Sequence, residues 1–118
     1  AGVIMPYISG LSVNHLYGRK GFNTYMNAEA QKWKMVLKAK VAQAFPDVSL
    51  DAPVLVHVDG YFKDRRSTPD RDNLSKVILD SVALGLDRDN DKLLKYDTGD
   101  WDTGYSDPEL IITLKVLE

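Results

Sequence analysis

The chain has 118 residues, 44% of them hydrophobic and 27% charged, with no cysteine and a formal net charge of -2. That is ordinary composition for a single globular domain spanning residues 1–118, large enough to bury a core without covalent staples. Disulfides and thiolate metal sites are excluded, a reducing compartment such as the cytoplasm is expected, and no apolar run approaches the roughly 18 residues of a membrane span.

Residues 3–8 are short and apolar with Pro6 inside, as in an edge strand. Residues 12–25, rich in Gly, Asn and polar side chains, are expected to form a loop. Asn27 suits a helix N-cap and Glu29 the first turn. The helix should run to about Phe45, where Pro46 stops it, with Ala30, Trp33, Leu37, Val41 and Ala44 on one face. Lys32, Lys34, Lys38 and Lys40 fall largely off that face and read first as solvated surface.

Residues 54–62 alternate and are β-branched, which predicts a strand. A charged loop follows over 63–69. A second helix is predicted over 73–84, with Leu74, Val77, Ile78 and Val82 facing inward. Residues 87–92 form a polar turn, 93–98 a further strand, and Leu110, Ile112, Leu114 and Val116 alternate in a final one. The order β-α-β-α-β-β predicts an α+β fold, a small mixed sheet with two helices on one face. No N-terminal basic segment leads into an apolar stretch, so no signal peptide is expected.

The charge is unevenly placed. Residues 1–66 carry nine Lys/Arg against five Asp/Glu, and residues 67–118 six against twelve. A solvated surface of uneven composition accounts for this. So does a basic face for phosphate beside an acidic pocket that cations neutralise.

The most informative stretch is Pro69-Asp70-Arg71-Asp72-Asn73-Leu74-Ser75-Lys76, at the predicted start of the second helix. A plain N-cap explains one aspartate there but not two. In an extended segment positions i and i+2 point to one side, and two carboxylates so placed repel unless a cation intervenes. Hard oxygen donors suit Mg²⁺ or Mn²⁺. Lys76 and Asp80 follow Asp72 at i+4 steps, which also fits a simple ion-pair ladder.

Asp87, Asp89 and Asp91 imitate the first three ligands of a calcium loop, but Lys92 stands where Gly is needed and Thr98 where a Glu should be. A polar turn fits better. His15 and His57 are lone histidines without zinc-site spacing, and neither a nucleophilic triad nor a phosphate-cradling glycine loop is apparent.

Taken together, these residues resemble the RusA family of Holliday junction resolvases. Asp70 to Lys76 matches the family's D-x-D-N-L-x-K, with Asp80 following and Asp64-Arg65-Arg66 preceding it. Asn90-Asp91-Lys92-Leu93-Leu94 resembles the family's [DN]-D-x-Q-[IV]. Ser12-Val13-Asn14 with Tyr17, and Ala28-Glu29-Ala30 at a helix start, extend the likeness over most of the chain. Leu93 departs from the usual Gln, and Gly10-Leu11-Ser12 replaces a proline-rich opening.

The resemblance implies a small homodimeric α+β nuclease, bacterial or phage-encoded, that cuts four-way DNA junctions with Mg²⁺ or Mn²⁺. Asp70, Asp72 and Asp91 would be the essential metal-binding acids and Lys76 a supporting catalytic lysine. A slipped register in the aspartate-rich turn would favour Asp89 over Asp91; the ungapped alignment from Asp72 favours Asp91. Arg19, Lys20, Arg65, Arg66 and Arg71 are the expected contacts to DNA phosphates. No small-molecule cofactor is expected. The competing reading is a catalytically inactive junction-binding module of the same fold.

Overall fold

The computed structural model describes residues 2–8, 11, 17–20, 23–26, 28–89 and 91–117, with residues 17–20 and 23–26 described in their backbone only. Along these residues the order is β1 (Gly2–Pro6), β2 (Tyr17–Lys20), β3 (Asn23–Met26), α1 (Ala28–Ala44), β4 (Val54–Phe62), a 3₁₀ turn (Arg71–Leu74), α2 (Ser75–Gly85), β5 (Leu94–Thr103) and β6 (Glu109–Val116). The fold is α+β. It matches the expected order except for the ribbon β2–β3, whose register runs from Tyr17↔Met26 to Lys20↔Asn23. Residues 17–25 fall within the stretch expected as a loop, since they lack an apolar period of two. Only two residues separate the strands, a spacing that suits a hairpin. Asn27, the expected cap, lies outside the described residues.

The main sheet has the order β1-β6-β4-β5. β6 runs antiparallel to both β1 and β4, whereas β4 and β5 are parallel. Parallel neighbours need a crossover, and α2 supplies it. β4 alternates as its sequence predicts: Val54, Val56, Val58 and Phe62 are buried, and Leu55, His57, Asp59 and Tyr61 are half-buried on the opposite face.

Both helices supply the other half of the core. α1 buries Ala30, Trp33, Leu37 and Val41, and Leu74, Val77, Ile78 and Val82 from the second helical region are fully buried. Ala44, expected on the inner face of α1, is exposed because the helix ends there, one turn beyond Val41. Lys40 Nζ donates to the Ile4 carbonyl at 2.9 Å, and Trp33 Nε1 donates to the Pro6 carbonyl at 2.6 Å. Both side chains thereby bind α1 to β1, so Lys40 is committed within the fold.

β5 is longer than the predicted strand. Its outer half, Gly99-Asp100-Trp101-Asp102-Thr103, has no apolar alternation, and pairing with β4 holds it extended. The register shifts between Val58 and Gly60, where Val58 faces Thr98 and Gly60 faces Trp101. This irregularity lies close to the acidic segment. Among the described residues, no helix is long and apolar enough to cross a membrane.

Candidate active site

Asp70 and Asp72 bracket the start of the 3₁₀ turn. Asp70 occupies its N-cap position in an extended conformation (φ -64°, ψ 139°), yet its side chain makes no capping hydrogen bond. The turn is closed instead by the Asn73 amide donating to the Asp70 carbonyl at 3.0 Å and by Ser75 Oγ donating to the Asp72 carbonyl at 2.8 Å. Capping therefore does not account for the two aspartates. Both are exposed, and among the described residues neither carboxylate has an ion-pair partner.

Three side chains fasten this turn to β5. Arg71 Nη1 donates to Thr98 Oγ1 and to the Gly99 carbonyl, each at 3.1 Å. The Arg71 guanidinium lies 5.3 Å from the centre of the Trp101 ring, within cation–π range. Tyr96 donates its hydroxyl to the Arg71 carbonyl at 2.7 Å. Burial raises the Tyr96 pKa, Asp72 raises it further and Arg71 opposes both, so the hydroxyl stays protonated as a donor. Trp101 is itself anchored, its Nε1 donating to the Val58 carbonyl at 3.1 Å. The sequence leads to the expectation of a DNA contact for Arg71; the structure gives it a role inside the fold.

Lys76 lies in the first turn of α2, half-exposed, with Nζ 3.6 Å from Asp80 Oδ2. Arg65 and Arg66 are exposed on a turn organised by Asp64, whose Oδ1 accepts from the Ser67 amide (2.8 Å) and hydroxyl (2.9 Å). Those bonds hold the Asp64 carboxyl below its usual pKa. Arg19 and Lys20 belong to β2; their side chains lie outside the described residues.

Asp91 is exposed in the turn between α2 and β5, and its carbonyl accepts from the Leu94 amide at 3.0 Å. The three expected acids are oxygen donors, exposed and without counter-charge among the described residues, as a hard divalent cation requires. Their convergence is another matter. Among the described residues, no three Asp, Glu or His side chains gather at one point that could hold a metal ion. The trio is not a ready-made cage in this structure.

A cluster that sequence reading missed lies on the sheet face away from the helices. His57 Nδ1 is hydrogen-bonded to Asp97 Oδ1, and its Nε2 lies 3.4 Å from Asp59 Oδ1. Asp59 Oδ1 also accepts from the Asp100 amide at 3.0 Å, at the register shift. The Asp97 hydrogen bond is the largest influence raising the His57 pKa, and the charges of Asp97 and Asp59 add to it against desolvation. The i,i+2 spacing of His57 and Asp59 on one strand face was the available signal. Asp97, 40 residues away, gave none.

A search of curated proteins finds no match. The profile of the endodeoxyribonuclease RusA family does match, over residues 7–115, nearly the whole chain. The acid-bearing turn, the arginine turn before it and the Asp91 turn all fall within that span. On this match the chain belongs to the RusA endodeoxyribonuclease family.

Proposed function

We propose that this family member is a divalent-cation-dependent endonuclease that resolves four-way DNA junctions by phosphodiester hydrolysis, in recombination and repair. The observation that carries the reading is the Asp70–Asp72 turn: two exposed carboxylates, neither capping a helix, held on β5 by Arg71, Tyr96 and Trp101. Asp70, Asp72 and Asp91 would hold Mg²⁺ or Mn²⁺, which at such sites activates water and offsets charge on the phosphate. Lys76, in the first turn of α2, would put positive charge near the reacting phosphate. Arg65 and Arg66 hold the backbone on either side, since phosphate contacts fix register without reading sequence.

A junction has two-fold symmetry and one protomer supplies one such turn, so paired cleavage calls for a homodimer. Sedimentation equilibrium should show a dimer at micromolar concentration; a monomer that still cuts both strands would remove this part. The nuclease reading is tested with a labelled synthetic four-way junction and a linear duplex of equal length. Cleavage of the junction alone, and only with Mg²⁺ or Mn²⁺, is the expected result. Cleavage in EDTA would refute the metal requirement. Binding without cleavage under every metal condition would identify an inactive junction-binding module.

A further inference from the structure

Charged side chains are almost never buried without a partner. Arg88 is 8% exposed, and among the described residues its Nε and Nη1 are buried without a hydrogen-bond partner. Its Nη2 donates to two backbone carbonyls, Ser49 at 2.8 Å and Ala52 at 2.6 Å. Among the described residues no carboxylate pairs with it, although Asp87 and Asp89 line the same cleft with Leu50 and Leu93. A guanidinium in this state is a poor core residue. Its desolvation is not repaid by an opposite charge, and apolar side chains often replace buried ions without loss of stability.

What Arg88 does is join three segments. Its backbone amide donates to the Ala83 carbonyl at 2.8 Å, and that of Asp87 donates to the Leu84 carbonyl at 3.1 Å. With Asp87 at φ 59°, this pair of bonds closes α2 in a Schellman motif. The motif turns the chain so that the Arg88 side chain reaches the segment leading into β4. The chain then carries Asp89 and Asp91 and rejoins the sheet, where the Val54 amide donates to the Leu93 carbonyl at 2.9 Å. The clamp thus sits at the root of the turn bearing Asp91.

We propose that Arg88 is a positioning residue: by clamping the Asp91 turn to the Ser49 and Ala52 carbonyls, it sets where Asp91 stands relative to the Asp70–Asp72 turn. This rests on the reading that the three acids act together. A function in positioning explains why a buried charge is present where an apolar side chain would fit.

The test compares Arg88→Met and Arg88→Lys in the full-length protein. Melting temperature, amide exchange of Leu94 in metal-free protein, junction affinity in Ca²⁺ and single-turnover cleavage in Mg²⁺ are measured. Arg88→Met should melt at or near the wild-type temperature. It should lose protection of the Leu94 amide, which bonds the Asp91 carbonyl, and cut about tenfold or more slowly, because small misplacements of reacting groups carry large rate losses. Junction affinity should change less than twofold. Arg88→Lys, which can still donate to both carbonyls, should recover most of the protection and the rate. Wild-type protection and rate in Arg88→Met would overturn the proposal, as would a rate loss matched by the unfolded fraction, or a Lys variant no better than Met. Asp91→Asn is run alongside. If it cuts normally, the assignment of Asp91 fails and takes the functional half of the proposal with it, while Leu94 exchange still decides whether Arg88 holds the turn.

Discussion

Replacing Gly99 by Ala should break the His57 cluster. A Cβ at residue 99 would lie 2.5 Å from His57 Nε2 and closer still to Asp59 Oδ1. Asp59 must then swing away, losing its hydrogen bond from the Asp100 amide and its contact with His57. Hydrogen bonds to a charged group contribute roughly 1.5–3 kcal/mol net, and partial exposure of all three side chains lowers that. Alanine's better fit to a strand returns a few tenths of a kcal/mol. The net cost should be about 1–2 kcal/mol, or about 4–8 °C in melting temperature for a domain of this size. The pH dependence has a definite sign. The folded-state pKa of His57 is raised, so its contribution is fully present below the unfolded value and is lost as pH rises through the folded one. Melting both proteins from pH 5 to pH 9 should show the largest gap on the acid side, narrowing as His57 deprotonates. Equal melting temperatures throughout, or a gap that widens with pH, would refute the reasoning.

Asp70→Asn, Asp72→Asn and Asp91→Asn should each abolish cleavage and spare junction binding, checked by gel shift and product analysis; a dead Asp89→Asn beside an active Asp91→Asn would reverse the register. Changing Arg65 and Arg66 together to Ala should weaken binding to all junction sequences alike and flatten its log–log salt dependence, each lost phosphate contact removing a slope of about 0.9. Gly85→Ala would put a Cβ 2.7 Å from Val41 Cβ and 2.9 Å from the Lys38 carbonyl, where α2 crosses α1. Overpacking of that kind costs about 1–3 kcal/mol, and pairing it with Val41→Ala should recover part of the loss in a double-mutant cycle of denaturant midpoints.

Where a residue's own period decided its place, the sequence was readable. Leu74, Val77, Ile78 and Val82 share a helical face and are all buried, β4 alternates as its residues do, and β6 does so through Leu110, Ile112 and Leu114, while Val116 at its end is exposed. The outer half of β5 was not readable, because Gly99, Asp100 and Asp102 disfavour strands and the partner strand holds them extended. Arg88 was hidden for a related reason: a charged residue in a polar turn looks solvated until the chain folds over it. In the candidate site, the D-x-D-N-L-x-K element marked the acid-bearing turn. Its fastening through Thr98, Gly99 and Trp101 depends on contacts made 27 or more residues away.

The bonds from α1 to β1 bear on how copies of this protein can associate. The Tyr7 amide bonds the Pro108 carbonyl beside β6, so the alternate residues Ile4 and Pro6 turn their backbone groups to the open side of the sheet. Both outward carbonyls are already taken, by Lys40 and Trp33, and Pro6 has no amide hydrogen to offer. An exposed strand is a template for a further strand only while its donors and acceptors are free. At Ile4 and Pro6 the acceptors of that row are taken from within the same chain. A second protomer extending the ladder at β1 would have to break both bonds, which leaves β5, the sheet's other edge, or the side-chain surfaces for a contact.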